Sequence, residues 1–92
     1  MQNTQKINKI IILPGNECSN TTTSSWYFWL KTKLQEHLTF KIEIILPTIM
    51  PDYMLARKSI WLPYIKHQLK ADENTLIIGH SSGSIAILKF LE

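Results

Sequence analysis

The sequence is poor in cysteine, in charge clusters and in long apolar runs. Its single cysteine, Cys18, excludes an internal disulfide and fits a reducing compartment. No apolar stretch approaches the ~20 residues that cross a bilayer. Residues 1–8 are polar and lack the basic start and apolar middle of a signal peptide. We therefore expect a cytoplasmic protein without a membrane partner, and a nuclear share stays open.

Charged and metal-binding patterns are equally sparse. Ten basic and seven acidic residues give a formal charge of +3, and no basic cluster is longer than Arg57-Lys58. Nucleic-acid binding is therefore not expected. The histidines and the cysteine lack metal-ligand spacing, and the phosphate-loop and dinucleotide fingerprints are missing. We expect no metal and no cofactor.

The chain is long enough for one small domain, and its hydrophobic fraction of 45% with 18% charged residues is typical of a globular protein. We predict a single domain over residues 1–92. Its first strand is the apolar, β-branched run at residues 9–13, which the pair Pro14-Gly15 ends. A polar loop follows, with Thr23, Ser24 and Ser25 as potential helix caps.

Three further segments complete the predicted order before the last turn. An apolar residue at every fourth place predicts a helix over residues 25–38, whose aromatic residues are interpreted as packing rather than as a binding box. Alternation with charged residues predicts an edge strand over residues 40–46. A helix over residues 54–70, capped by Asp52, is expected to kink at Pro63.

A third strand over residues 75–79 and a helix over residues 82–91 close the pattern. Strands that alternate with helices predict a three-layer α/β/α fold with a parallel sheet and right-handed crossovers. If the strand order is 2-1-3, the loop after the first strand and the turn after the third meet at the carboxyl ends of the strands. Functional sites in such sheets lie at that edge.

The turn between the third strand and the last helix contains the pattern G-x-S-x-G, formed by Gly79, Ser81 and Gly83. In a nucleophile elbow of this kind, the serine occupies a strained turn with its hydroxyl above the sheet. The glycines allow the strand and helix backbones to pass closely. We predict that Ser81 is a catalytic nucleophile and that Gly79 and Gly83 are the elbow glycines. An ordinary turn leading into a helix is the alternative.

A serine nucleophile also needs oxyanion donors and a base. The backbone N–H of Ser82 and one N–H from the Gly15-Asn16 loop are the predicted donors. No base is evident, because residues 82–92 contain no histidine. His80 is expected to face the other side of the turn as a packed or hydrogen-bonded neighbour. The remaining histidines, His37 and His67, are expected on the surface.

Five segments of the sequence form a recognisable set: LPGN at 13–16, WY with W29 at 26–29, MPD at 50–52, AR with SIWLP at 56–63 and IIGHSSG at 77–83. With these segments the sequence resembles the family of small α/β-hydrolases named after retinoblastoma-binding protein 9. The resemblance covers nearly the whole chain after the first few residues. It implies an α/β-hydrolase sheet and a serine hydrolase with a Ser, Asp and His triad, in which Ser81 is the nucleophile.

The sequence departs from the family in three places. Members continue through further strands that carry the triad Asp and His, so this chain resembles the N-terminal half, limited to three βα units. A truncated gene model, a splice product and a degenerate copy are all open explanations. Glu17 and Cys18 stand where members have glycines, which puts the oxyanion donor of that loop in question. The L-x-C-x-E segment of the namesake, associated with retinoblastoma protein, reads LKADE here, with Ala71 in place of cysteine.

Two functions therefore remain open. The first is part of a serine hydrolase for a small ester or amide, inactive or barely active as this chain alone. The second is a non-catalytic fragment that binds a partner or itself, because residues 84–92 form a helix that is apolar almost all round. A nucleotide-binding half-domain is a third interpretation, without a phosphate motif to support it. The retinoblastoma protein is only weakly implied as a partner.

Overall fold

Three parallel strands form the centre of the fold. The computed structural model describes residues 6–38 and 41–92. Strand β1 (Lys9–Leu13) lies between β2 (Glu43–Ile45) and β3 (Thr75–Gly79), and both pairings are parallel. The predicted strand order 2-1-3 is confirmed. From Ile10 to Leu13, β1 is continuously apolar because it is the central strand and has helices over both of its faces.

Helices cover the two faces of the sheet, as an α/β fold requires. On one face, α1 (Tyr27–His37) packs over Ile12 together with Cys18. On the other face lie α2 (Lys58–Pro63) and α3 (Ser82–Phe90). The core on that second face comprises Ile11, Leu13, Met50, Trp61, Ile65, Leu69 and Ala86. Neighbouring residues of β1 therefore serve opposite cores, which is the two-residue period of a strand.

Helix α1 begins two residues later than predicted, and the predicted caps are wrong. Trp26 occupies the N-cap position, and no side chain caps the helix. Ser25 has φ 55°, and the N–H of Thr23 donates to the carbonyl of Asn20, so these residues close turns of their own. The apolar face of the helix is as predicted, since Leu30 and Leu34 pack against the core on this side of the sheet.

Strand β2 is shorter than the predicted 40–46. Residue 40 lies outside the described residues, and the strand starts at Glu43, whose N–H donates to the carbonyl of Asn8 at 3.1 Å. β2 pairs only with β1 among the described strands, so its predicted edge position is confirmed. β2 begins at Glu43 because this residue pairs with Lys9, the first residue of β1.

The helix predicted over residues 54–70 is wrong in its bounds and in its cap. The carbonyl of Asp52 accepts from the N–H of Ala56 at 2.7 Å, and its carboxylate accepts from Arg57, so Asp52 closes a loop and α2 begins only at Lys58. At Pro63 the α-helix passes into a π-helical segment, Tyr64–Gln68. Proline has no N–H to donate to the preceding turn, so the predicted disturbance appears as a wider turn.

The last two elements match their predicted bounds closely. β3 covers Thr75–Gly79, as predicted, and α3 ends at Phe90, one residue before the predicted end. The side chain of Asp72 prepares the entry into β3, because its carboxylate accepts from the N–H of Asn74 and the hydroxyl of Thr75. These two bonds, the backbone one first, lower the pKa of Asp72.

Candidate functional site

The turn between β3 and α3 holds Ser81 in an unusual backbone conformation. Its φ is 57° and its ψ is −118°, outside the regions that L-residues normally occupy. Such a residue costs about 1 to 3 kcal/mol and persists only where its surroundings fix it. Here the N–H of His80 donates to the carbonyl of Leu13 at 3.1 Å, which fastens the turn to β1. The strain is therefore held between β1 and the start of α3.

Among the described residues, the hydroxyl of Ser81 has no hydrogen-bond partner. Ser81 is exposed and occupies the N-cap position of α3, yet its side chain makes no capping hydrogen bond. Its carbonyl, in contrast, accepts from the N–H groups of Ser84 and Ile85 and starts the helix. The side-chain oxygen of a serine that caps a helix normally accepts a hydrogen bond from the N–H of the second or third helical residue. In this turn that oxygen stays open to solvent.

Gly79 and Gly83 lie where backbones pass too closely for a side chain. A Cβ on Gly83 would be 2.6 Å from the carbonyl oxygen of Leu13, and one on Gly79 would be 2.7 Å from the carbonyl carbon of Gly83. Both are far inside normal contact distance. The two glycines thus let α3 begin directly over the end of β1, which is the close passage that the motif predicts.

The loop after β1 runs beside Ser81. A Cβ on Gly15 would lie 3.1 Å from the Cβ of Ser81 and 3.6 Å from its Oγ. The N–H of Gly15 already donates to the hydroxyl of Tyr27 at 3.0 Å, and the N–H of Glu17 donates to the carbonyl of Tyr53 at 2.6 Å. Of the N–H groups in the predicted Gly15-Asn16 pair, only that of Asn16 is therefore left over.

The two predicted oxyanion residues, Asn16 and Ser82, contact each other. The hydroxyl of Ser82 donates to Oδ1 of Asn16 at 2.9 Å, and Nδ2 of Asn16 donates to the carbonyl of Met54 at 3.3 Å. Within residues 6–38 and 41–92, neither backbone N–H of this pair has an acceptor. Asn16 and Ser82 thus each have an N–H group without an acceptor, and a side-chain hydrogen bond joins the two residues. Their role as oxyanion donors stays a prediction.

The departures from the family pattern in this loop have different structural consequences. Cys18 is buried against Ile12 and Tyr27, where it behaves as a small apolar side chain. Glu17 is exposed and has φ 67°, a conformation that favours glycine. The position thus keeps a glycine-like backbone although it carries a carboxylate.

Tyr27 is a site residue that the sequence analysis did not identify. Its hydroxyl, besides accepting from Gly15, lies 2.8 Å from Nδ1 of His80. The ring of Trp26 stands edge-on to the His80 ring, with 5.5 Å between the ring centroids. His80 is therefore a hydrogen-bonded neighbour of the turn, as the sequence analysis interpreted it. Tyr27 and His80 are 53 residues apart, and no local pattern connects them.

The described residues bring no base to the Ser81 hydroxyl. That hydroxyl makes no hydrogen bond within residues 6–38 and 41–92, and the His80 ring is engaged with Tyr27. His37 ends α1, His67 lies in the π-helical segment, and both are exposed. The same residues contain no group of three or more His, Cys, Asp or Glu side chains placed to hold a metal ion.

An ion pair stiffens the loop that contacts Asn16 and Glu17. The carboxylate of Asp52 accepts from Nε of Arg57 at 2.9 Å, from its Nη2 at 3.0 Å and from its backbone N–H at 2.9 Å. The side-chain hydrogen bonds to Arg57, more than any other cause, hold the pKa of Asp52 below its usual value. The same bonds raise the pKa of Arg57.

Three cavities lie among the described residues. The one of about 610 Å³ is lined by Ile7, Ile10 and Leu76, near the beginnings of the strands and away from Ser81. One of about 320 Å³ lies between the π-helical segment and α3. The smallest of the three, about 170 Å³, is lined by residues that include Ser82 and Ile85. Because Ser82 follows Ser81 directly, the smallest cavity is the one that borders the serine turn.

Helix α3 is covered on one side only. Ala86 is buried, and Ile87 and Phe90 pack against the core. On the other side, Ile85, Leu88 and Leu91 are 61%, 66% and 73% exposed. The helix that the sequence predicted to be apolar almost all round therefore has one exposed apolar face among the described residues. Among residues 6–38 and 41–92, none of the helices combines the length and the apolar character that a bilayer-crossing helix needs.

The LKADE segment at residues 69–73 does not form an extended surface peptide. Leu69 is buried, and Ala71 packs against the core and donates its N–H to the carbonyl of Ile65. Leu69, the first residue of the segment, is thus part of the hydrophobic core. Retinoblastoma protein as a partner gains no support from this geometry.

Comparison with known proteins agrees with the resemblance seen in the sequence. No protein-family model matches the chain. The chain is 43% identical over 84 residues to serine hydrolase RBBP9 of Rattus norvegicus. The match covers 91% of this chain but only 44% of that relative. The resemblance is confirmed, the hydrolase type of the α/β fold is implied by the relative, and the chain spans less than half of the relative's length.

Proposed function

We propose, from the confirmed similarity to serine hydrolase RBBP9, that this chain carries the nucleophile of a serine hydrolase and that Ser81 is that nucleophile. One observation carries the proposal. Ser81 occupies a strained turn between β3 and α3, with an exposed hydroxyl that no capping bond consumes. Strained backbone of this kind concentrates at functional sites.

The proposed oxyanion hole consists of the backbone N–H groups of Asn16 and Ser82. Both lack an acceptor among the described residues, and the side chains of the two residues are hydrogen-bonded to each other. Ser82 is also the first residue of α3, where the helix dipole favours negative charge. A preorganised donor of this type contributes on the order of 3 kcal/mol to transition-state stabilisation.

The proposed reaction is acyl transfer to Ser81. Its Oγ attacks the carbonyl carbon of a small ester or amide, and the hydroxyl proton passes to a general base. Collapse of the tetrahedral intermediate releases the alcohol or amine, which takes up that proton, and water then hydrolyses the acyl-serine. The base and the carboxylate that orients it belong, in this proposal, to a part of the fold that this sequence does not contain. The isolated chain is accordingly inactive or barely active.

The 170 Å³ cavity beside Ser82 is the part of a substrate pocket that these residues supply in this proposal. It is lined mainly by apolar side chains, among them Leu55, Trp61 and Ile85, and it has room for a short apolar group. A small ester or amide fits this lining.

Covalent labelling with a fluorophosphonate tests the proposal. We compare the chain with Ser81→Ala and with Ser59→Ala, an exposed serine on α2, in the absence and presence of added imidazole as an external base. We expect the unmodified chain to be labelled slowly and imidazole to accelerate this labelling. Ser81→Ala should abolish the labelling, and Ser59→Ala should be labelled like the unmodified chain. Labelling that persists in Ser81→Ala, or no labelling at any imidazole concentration, contradicts the nucleophile. Rapid labelling without imidazole contradicts the proposed inactivity.

Self-association is a second candidate function, favoured by the exposed face of α3. Ile85, Leu88 and Leu91 form an apolar stripe on that face, and stripes of this kind mark association sites. We expect sedimentation velocity to show dimers or larger species that Leu88→Lys disperses. The matched control is Phe28→Lys, which changes an exposed apolar side chain of α1. A stable monomer at all concentrations contradicts this candidate.

A further inference from the structure

The hydroxyl of Tyr27 joins the two backbone segments that flank the Ser81 hydroxyl. Tyr27 lies on α1 and is only 3% exposed. From there its oxygen accepts the N–H of Gly15 in the loop after β1 and contacts Nδ1 of His80 in the turn after β3. One buried oxygen atom thus belongs to hydrogen bonds with both loops.

The hydrogen atoms around this oxygen can be assigned from the chemistry of the groups. Gly15 can only donate through its N–H, so the phenol oxygen accepts from it. The phenol oxygen has a second lone pair and could also accept from an Nδ1–H of His80, but the phenol proton would then have no acceptor among the described residues. The arrangement that uses every proton has the phenol donating to Nδ1 of His80, and a neutral imidazole that accepts at Nδ1 carries its own proton on Nε2. The network therefore favours this tautomer of His80.

We propose that Tyr27 is a positioning residue for the chemistry of Ser81, an inference that rests on the proposed function. Because the Tyr27 hydroxyl accepts from the N–H of Gly15, the N–H of Asn16 is the free donor of the Gly15-Asn16 pair. By holding His80, it fixes the residue that precedes Ser81. The close approach of Gly15 to Ser81, where a Cβ would lie 3.1 Å from the serine Cβ, makes the reacting hydroxyl sensitive to this loop.

Substitution of Tyr27 by phenylalanine tests the proposal, because it removes the oxygen and keeps the ring in its packing. The matched control is Tyr64→Phe, since the Tyr64 hydroxyl makes no hydrogen bond within residues 6–38 and 41–92. In ¹⁵N-labelled protein, we expect amide exchange of Gly15 to become about tenfold faster in Tyr27→Phe only, as expected for a lost hydrogen bond in a protein that stays folded. Exchange at Ile11 and Ile77 in the strands should not change.

The ring of His80 provides a second readout of the network, because its tautomer depends on the hydrogen bond to the phenol. Long-range ¹⁵N–¹H correlation spectra at a pH where the ring is neutral should show one tautomer, with the proton on Nε2, in the chain and in Tyr64→Phe. Tyr27→Phe should give a mixture of tautomers. Unchanged Gly15 exchange together with an unchanged His80 tautomer in Tyr27→Phe overturns the proposal.

Labelling of Ser81 by the fluorophosphonate, with imidazole present, connects these readouts to the chemistry. We expect the labelling rate in Tyr27→Phe to fall about tenfold relative to Tyr64→Phe, because the oxyanion donor is no longer held in place. If Gly15 and His80 respond while this rate does not, the role in the chemistry is overturned. Labelling that persists in Ser81→Ala overturns the proposed function instead, and the responses of Gly15 and His80 remain interpretable by themselves.

Discussion

The hydroxyl of Ser82 donates a hydrogen bond of 2.9 Å to Oδ1 of Asn16, which joins the first residue of α3 to the loop after β1. The amide of Asn16 continues this connection, because its Nδ2 donates to the carbonyl of Met54. Asn16 therefore links three segments that are distant in sequence. Its side chain therefore adds to the bonds of Gly15 and Glu17 that hold this loop beside Ser81.

Coupling between Asn16 and Ser82 can be measured with a double-mutant cycle. We expect Asn16→Ala and Ser82→Ala to lower the free energy of unfolding non-additively, with a coupling energy of about 0.5 to 1 kcal/mol for one exposed hydrogen bond. Asn16→Ala should be the more costly change, since it also removes the bond to Met54. Urea unfolding of the two single variants and the double variant gives the coupling. Strictly additive losses would show that the contact does not contribute.

Thr21 makes a buried hydrogen bond that joins the loop after β1 to the segment after β2. Its hydroxyl donates to the carbonyl of Pro47 at 2.7 Å, and the residue is fully buried. Thr21→Val preserves the shape but leaves that carbonyl without this donor, so we expect a loss of about 1 to 3 kcal/mol in the free energy of unfolding. Thr23→Val is the matched control on the exposed side of the same loop and should stay within about 0.5 kcal/mol. Equal effects would refute the role of the buried bond.

The glycines at 15 and 83 should respond differently to alanine. At Gly83 the added Cβ meets the backbone oxygens of Leu13 and Pro14 at 2.6 and 2.9 Å, and neither can rotate away. We expect Gly83→Ala to destabilise the fold by about 2 to 3 kcal/mol, as overpacking does. Gly15→Ala meets the Cβ of Ser81 at 3.1 Å, which cannot rotate away either but needs a shift of only a few tenths of an ångström, so this variant should stay within about 1 kcal/mol of the unmodified chain.

A comparison of thermal unfolding with Ser81 labelling separates the two effects. Gly15→Ala should unfold near the temperature of the unmodified chain and still label Ser81 more slowly, because its Cβ crowds the serine. If Gly83→Ala proves as stable as Gly15→Ala, the close passage of α3 over β1 is not a constraint on this fold.

The sequence predicted those parts of the fold that depend on local pattern. The apolar runs of β1 and β3 end at Pro14 and at Gly79, residues that mark the end of a strand in their own right, so both strands were predicted residue for residue. The elbow motif also predicted α3 to within one residue. Local signals of this kind need no knowledge of distant contacts.

The parts that the sequence did not predict depend on long-range or competing hydrogen bonds. Asp52 has the residue type of a helix cap, but Arg57 takes its carboxylate and delays the start of α2. Tyr27 looks like one more packing aromatic until His80 is brought to it across the sheet. In the candidate site, the positions of Ser81 and the glycines followed from the motif, whereas the use of the Gly15 N–H did not.

The ion pair between Asp52 and Arg57 predicts how stability depends on pH. The pKa of Asp52 is lowered in the folded chain, mainly by its side-chain hydrogen bonds to Arg57. A lowered pKa means that this carboxylate stabilises the fold above its unfolded value of about 3.9, and that the contribution disappears as the pH falls through the folded value. Between pH 5 and pH 8 the contribution should therefore be constant.

Comparison with Asp52→Asn isolates this contribution from that of Asp72, whose pKa is also lowered. The difference in the free energy of unfolding between the chain and Asp52→Asn should be constant down to about pH 5 and shrink below about pH 4. Asp52 has φ 49°, a conformation that asparagine tolerates well, so the variant can gain some stability. That gain does not depend on pH and shifts the whole curve without changing its slope. A difference that is the same at pH 3 and pH 7, measured by urea unfolding, would therefore contradict the charge-assisted bond whatever its offset.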